Sequence, residues 1–428
     1  MNTLITHACI VTMNEKMEVI RDGSLLIENG RISRIGYGIT ASEGAAVFDA
    51  SGMIVMPGLI NAHTHLPMTL LRGYADDLPL DKWLTEHIFP AEARLMTPEN
   101  VRIGTRLALL EMIKTGTTCF NDMYYFEDVI AEEAKKAGIR GVMGEALIDF
   151  PTVSFATVDE GCARAERLLS DWQGDNTIHP SVCAHAPYTC SPETLQKAKK
   201  LADKYNTILH IHAAETREEV EQVTTRHGLP PVEYLHSLGL TGKNVITAHA
   251  VWLNAVEVDM LADTGTAVAH NPKSNLKLAS GIAPVASYLQ SGITVAIGTD
   301  GAASNNTLDM VEEMRFAALI SKGETLNPEA VGAREALQMV TIHGARALGL
   351  GDRTGSLEEG KCADLIFVDP GSYNMLPMHD PLSALVYAMN SHNIRHAIVN
   401  GEWIMRERRV LHLDEEEIIA SLRKIFPH

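Results

Sequence analysis

Apolar and polar positions along the chain fall into two textures. From Leu4 to Val55, short apolar runs are broken by turn-forming groups at Arg21-Asp22-Gly23 and Glu28-Asn29-Gly30, the pattern of β-hairpins. From Met56 to about Gly349, short apolar runs alternate with amphipathic stretches such as 99–114 and 192–205, the pattern of repeated βα units. Eight runs occur, at 54–65, 117–123, 141–148, 180–188, 207–215, 245–251, 266–272 and 294–300. Strands return at 363–368 and 396–399, the second followed by an Asn400-Gly401 turn. The pattern predicts an α/β protein: a closed TIM-type (β/α)8 barrel over 57–349, and a small β-sandwich domain built from both chain ends, 1–56 and 350–428. A doubly wound open sheet shares the alternation. The barrel is favoured because several runs end in titratable residues, and barrels display their active sites at the C-terminal ends of their strands. The acidic run 414–417 reads as a solvated helix face.

Composition narrows the partners. The 36 basic and 54 acidic residues leave a net charge of −18, which repels phosphate backbones and anionic lipid headgroups, so neither nucleic acid nor membrane is expected as a partner. Six scattered cysteines without a Cys-x-x-Cys pair suggest neither a disulfide framework nor a zinc-thiolate site, which fits a reducing, cytoplasmic setting. No apolar run approaches the roughly 20 residues that span a bilayer, and the N-terminus has no secretory pattern.

The candidate chemistry sits at the strand ends. His63 and His65, two residues apart on one strand, point to the same side. The fifth run ends in His210-Ile211-His212-Ala213-Ala214-Glu215, the sixth carries His249, and the eighth ends in Thr299-Asp300. Imidazole and carboxylate together suit zinc, or iron, whereas calcium or magnesium would need more oxygens. Three histidines and an aspartate leave one position open for water, whose pKa a metal lowers to near 7. Glu215 can then carry a proton to the substrate, His249 can hold the attacking water, and Asp300 can take its proton. His212 lies nearer the strand end than His210, which is assigned to packing or to support of the ligands. The fourth run carries no lysine that could bridge two metals, so one divalent metal per chain is favoured. For His7, His87, His179, His227, His236, His343, His392, His396, His412 and His428, a core imidazole bonded to a backbone carbonyl is the ordinary expectation.

Together, the segment from Pro57 to His65, His212-Ala213-Ala214-Glu215, Thr247-Ala248-His249 and Gly298-Thr299-Asp300-Gly301 resemble the amidohydrolase superfamily. Asn271-Pro272-Lys273-Ser274-Asn275 and Ser304-Asn305-Asn306 look like its branch of chlorotriazine hydrolases and nucleoside deaminases. The chain is most similar to the methylthioadenosine/S-adenosylhomocysteine deaminase group. That resemblance implies metal ligands at His63, His65, His212 and Asp300, with Zn²⁺ as the metal, and substrate contacts at Glu92, His185, Glu215 and Asp300. Glu92 would accept hydrogen bonds from two ribose hydroxyls. The implied reaction is hydrolytic deamination of a small nucleoside, with Glu215, His249 and Asp300 catalytic; 5′-methylthioadenosine, S-adenosylhomocysteine, adenosine and 5′-deoxyadenosine are the candidate substrates. A homo-oligomer is expected. One departure bears on the substrate: some members carry an arginine in the loop after the third strand for the homocysteine carboxylate, and 148–157 has none, Arg164 and Arg167 following in a solvated helical stretch. A related hydrolase of a free base or triazine, of guanine deaminase or chlorohydrolase type, is the alternative.

Overall fold

The computed structural model describes residues 2–41 and 43–427 and arranges them around two nine-stranded sheets. The chain starts in the first sheet with β1 (Thr3–Val11), β2 (Val19–Glu28), β3 (Arg31–Gly36), β4 (Ala46–Asp49) and β5 (Ile54–Pro57). It then builds the second from β6 (Leu59–Thr64), β7 (Thr117–Tyr124), β8 (Arg140–Leu147), β9 (Ile178–Pro180), β10 (Val182–Ala184), β11 (Leu209–Ala213), β12 (Val245–His249), β13 (Ala267–His270) and β14 (Val295–Ile297). It returns to the first with β15 (Leu365–Val368), β16 (Ile394–Val399), β17 (Glu402–Arg406) and β18 (Arg409–Val410).

The second sheet is a nearly closed parallel barrel in the order β6, β7, β8, β10, β11, β12, β13, β14, with β9 beside β8. Strands β7, β8, β11 and β12 are fully buried, as sheets covered on both faces require. Among the described residues no ladder joins β14 to β6. The seam is stitched by loop groups instead: Asp300 N–H donates to the His63 carbonyl (2.9 Å), and Thr299 N–H donates to Asn61 Oδ1 (3.0 Å). Local signals set the helices between the strands. The helix Pro192–Tyr205 starts where Ser191 Oγ accepts from Thr194 N–H, and ends where Asn206 turns left-handed.

The first sheet runs β18, β17, β16, β15, β5, β1, β2, β3, with β4 beside β1. β5 is parallel to β1 and antiparallel to β15, so it joins the two ends of the chain. Ile5, Ile10, Leu25, Ile27, Val55, Phe367 and Ile398 form this sheet's own core.

Three sequence expectations are corrected. The single run 54–65 is two strands in different sheets, divided at Gly58, whose position has no room for a side chain: a Cβ there would lie 2.0 Å from Thr118 Oγ1. The run at 180–188 holds only the end of β9 and the three residues of β10, with a loop from His185 onward. Arg21-Asp22-Gly23 is not a turn but part of β2; Gly23 faces Ala8 across an irregular register, with His7 and Asp22 both left-handed. The hairpin reverses over 12–18, where Asn14 Oδ1 accepts from Glu18 N–H.

A buried ion pair ties the sheets together. Arg140, at the start of β8, donates through Nε and Nη2 to Asp364 (2.7 and 3.1 Å), just before β15, and neither side chain is exposed. Asp364 also accepts from Asn400 N–H (2.7 Å). Arg140→Met leaves that carboxylate buried without its cation and is expected to lower stability by about 3–5 kcal/mol in chemical denaturation, with Arg140→Met/Asp364→Leu recovering most of the loss. An unchanged denaturation midpoint for Arg140→Met would remove the pair from the junction.

Candidate active site

The strands deliver their polar ends to one point. His63 is the last residue but one of β6 and His65 follows that strand; His212 lies on β11, His249 ends β12, and Asp300 follows β14. One ring nitrogen from each of His63, His65 and His212 lies within 4.8 Å of the others, and so do one ring nitrogen from each of His63 and His249 and a carboxylate oxygen of Asp300. All five residues are buried. Three imidazoles have Nδ1 committed behind them: His65 to the Met123 carbonyl (2.5 Å), His212 to the His185 carbonyl (2.6 Å) and His249 to Asn275 Oδ1 (2.8 Å). Each acceptor fixes an Nδ1–H tautomer and turns a bare Nε2 inward, the arrangement that ligating histidines adopt. Among the described residues neither ring nitrogen of His63 has a hydrogen-bond partner. A fully buried imidazole left so is costly unless something else takes its lone pair. The donor set therefore fits a divalent metal of the zinc type.

Asp300 is gripped from several sides. Its Oδ2 accepts from Ser274 Oγ (2.6 Å) and Ser304 Oγ (2.8 Å), its Oδ1 accepts from Gly301 N–H (2.7 Å), and its backbone is left-handed (φ 60°). Burial alone would raise this carboxyl. The imidazoles of His63 and His65 outweigh it and hold Asp300 well below the usual carboxylate range. Burial takes His63 down to about 3.

Glu215 stands in the turn after β11. The Glu219 carboxylate accepts from Ala214 and Glu215 N–H (2.8 and 2.7 Å) and holds that turn, while Ser280 Oγ donates to Glu215 Oε1 (3.0 Å). The other oxygen, Oε2, lies 3.6 Å from His249 Nε2. Burial raises the Glu215 carboxyl, so it keeps a proton to higher pH than an exposed glutamate, as an acid catalyst requires.

Glu92 and His185 line the same pocket as His65, His212, Glu215, His249 and Asp300. Glu92 is buried. His185 Nδ1 lies 2.8 Å from Thr189 Oγ1. His210 sits one layer deeper, with Asn121 Nδ2 donating to its Nδ1 (3.0 Å) and its ring edge-on to His63. Of the histidines assigned to packing, His7 is exposed and pairs with Asp22, His179 contacts Arg140, and His428 lies outside the described residues. Arg164 pairs with Asp128 and Glu145, away from this pocket.

Sequence reasoning did not reach the residues that orient the others: Ser274, Asn275, Ser280, Ser304, Glu219 and Tyr124. Only the Asn-Pro-Lys-Ser-Asn and Ser-Asn-Asn segments signalled some of them. The pocket continues through Leu80, Leu84, Phe89, Tyr188 and Leu278 into an outer cleft of about 1030 Å³ that also takes in Phe150.

Comparison with known proteins agrees with this geometry. The amidohydrolase family profile matches residues 54–404. A 5-methylthioadenosine/S-adenosylhomocysteine deaminase from Syntrophobacter fumaroxidans is 45% identical over 428 residues, covering 99% of this chain and 97% of the relative. A 5′-deoxyadenosine deaminase from Methanobrevibacter smithii is 43% identical over 424 residues, covering 98% and 96%. The crystal structure of an adenosine deaminase from Xanthomonas campestris with bound zinc superposes with a TM-score of 0.96 at 39% identity, covering 99% of this chain and 97% of that one.

One position tests the packing of the cluster. A Cβ on Gly298 would stand 2.7 Å from His63 Cβ and 2.5 Å from Asn271 Oδ1. Gly298→Ala is therefore expected to push the imidazole aside and lower bound metal per chain, measured by elemental analysis; full metal content would show that His63 is not needed to hold it.

Proposed function

The chain belongs to the amidohydrolase family, and we propose that it deaminates 5′-substituted adenosines hydrolytically, giving the inosine analogue and ammonia, with 5′-methylthioadenosine foremost. The observation that carries this reading is a single pocket whose wall joins imidazoles, Asp300 and Glu215 to the buried carboxylate of Glu92. A purine against the first group and a ribose against Glu92 would use both.

His63, His65, His212 and Asp300 would hold one zinc ion, the metal bound in the Xanthomonas neighbour. When bound, the metal supplies Lewis acidity and a hydroxide near neutral pH. Glu215 gives its proton to the purine ring nitrogen as water oxygen bonds to C6. His249 Nε2 holds the attacking water, and Asp300 receives the water's proton. Asp300 then returns that proton to the exocyclic amine, the C6–N bond breaks and ammonia leaves, and Glu215 takes back the proton of the C6 hydroxyl as the carbonyl forms. Glu92 accepts the ribose hydroxyls and His185 lines the sugar. A base without a sugar would leave the buried Glu92 carboxylate unsatisfied, which gives the site its power to reject free bases.

The 5′ substituent points toward the outer cleft. Lys277, on its wall, is already bound to Asp76 (2.6 Å) and to Asn306, and the other lysine there, Lys82, is exposed. Among the described residues no arginine lines the cleft. This favours a neutral methylthio group over a homocysteine carboxylate. We also read the enzyme as cytoplasmic, supported by six unpaired cysteines, and as a homo-oligomer, supported by the exposed apolar side chains of Phe316, Leu319 and Leu326 along the helix Met310–Thr325 and its cap. No described helix is long and apolar enough to cross a membrane.

Ammonia release is expected from methylthioadenosine, 5′-deoxyadenosine and adenosine, more slowly from S-adenosylhomocysteine, and not from adenine or guanine. Turnover of guanine alone would move the enzyme to the free-base hydrolases. Glu215→Gln is expected to keep its metal while losing about two to four orders of magnitude in kcat; unchanged turnover would take Glu215 out of the proton transfer.

A further inference from the structure

Glu92 has a neighbour that the reaction as described does not use. Tyr124, the last residue of β7, donates from its hydroxyl to Glu92 Oε1 at 2.5 Å, with both residues buried in the pocket wall. Among the described residues it is the one side chain or backbone group that donates to this carboxylate. A hydrogen bond this short to an ionised acceptor is of the strong, orienting kind. Burial and the adjacent Glu92 carboxylate raise the Tyr124 hydroxyl well above its ordinary range, so it remains a donor.

Tyr124 is itself held with unusual care. Its backbone N–H donates to Glu127 Oε1 (2.7 Å). The N–H groups of Phe126 and Glu127 reach Glu145 Oε1 and Oε2 (3.4 and 3.2 Å), across a left-handed Phe126 (φ 59°). Glu127 and Glu145 are both buried, so two costly carboxylates are committed to the shape of the segment 124–127. The ring packs beside Tyr125 (5.1 Å between centroids) and near His65 (6.2 Å). The phenol thus has little freedom except to meet Glu92.

We propose that Tyr124 is the specificity-determining positioning residue of the ribose end. By occupying one lone pair of Glu92 Oε1 it fixes the carboxylate plane and leaves Oε2 and the remaining lone pairs for the two sugar hydroxyls. This rests on Glu92 being the ribose acceptor. Without the phenol the carboxylate would rotate freely or take up a proton, and either change removes an acceptor from the sugar while leaving the chemistry at C6 untouched. Burial already pushes the Glu92 carboxyl up to about 7, against the Tyr124 hydrogen bond, which lowers it.

The test compares wild type, Tyr124→Phe, Glu92→Gln and the double variant on 5′-methylthioadenosine and on its 2′-deoxy and 3′-deoxy analogues, with metal content and thermal midpoint measured on the same samples. Tyr124→Phe is expected to raise KM for the ribonucleoside by roughly ten- to a hundredfold, with kcat within about twofold and KM for the deoxy analogues little changed. The double variant should lose no more discrimination than Glu92→Gln alone, because both substitutions remove one interaction. If Glu92→Gln abolishes the ribose preference and Tyr124→Phe keeps it, the inference fails and the ribose reading stands. If Glu92→Gln itself keeps the preference, the ribose reading fails and takes the inference with it. Equal losses on ribo and deoxy substrates, accompanied by a lower thermal midpoint, would make Tyr124 a packing residue and overturn the proposal.

Discussion

The seam between the last barrel strand and the first is the constraint on which the rest of the molecule depends. Where a ladder would close the barrel, loop groups close it, and they belong to the residues of the candidate metal cluster. The N–H of Asp300 bonds to the carbonyl of His63, and Asn61 Nδ2 donates to Thr299 Oγ1 (2.8 Å) as its own Oδ1 accepts from Thr299 N–H. Gly298 lets the two strand ends approach until a single methyl would not fit. Closure of the fold and assembly of the site are thus one event. A carboxylate and several imidazoles are drawn into a water-poor interior, where each must find a partner.

That demand explains why so many polar residues surround the cluster without touching a substrate. Ser274 and Ser304 saturate Asp300, Asn275 and two backbone carbonyls orient three imidazoles, and Ser280 steadies Glu215. The same burial separates the carboxylates by environment. Asp300, faced by imidazoles, is held ionised; Glu215 and Glu92, in more apolar surroundings, are shifted upward. The surrounding sheet from the chain ends contributes rigidity, through β5 and the Arg140–Asp364 pair, rather than chemistry.

Much of this was visible in the chain before any fold was known. The alternation of apolar runs with helical stretches marks the eight βα units, since strand and helix periods are local properties of a few residues. His63 and His65 show their common direction by spacing alone, as do His212 and Glu215 their closeness to a strand end. The helix Pro192–Tyr205 could be bounded from Ser191, Pro192 and Asn206 by the same local rules. Where local rules misled, a neighbour from elsewhere had intervened. Arg21-Asp22-Gly23 carries turn chemistry, yet pairing with β1 absorbs it as a strand irregularity. The run 54–65 is continuous in hydrophobicity, yet Thr118, from the next strand, forces the break at Gly58.

The sequence by itself determined the element types, the spacing of the candidate ligands and the likeness to a deaminase family, because these depend on residues adjacent along the chain. Tertiary structure alone decided that His63 meets Asp300 across the seam, that Ser274 and Ser304 grip one carboxylate, and that Tyr124 lies on Glu92. Those contacts join residues that chain order keeps apart, and only the closing of the barrel, with the desolvation it imposes, brings their atoms within bonding distance.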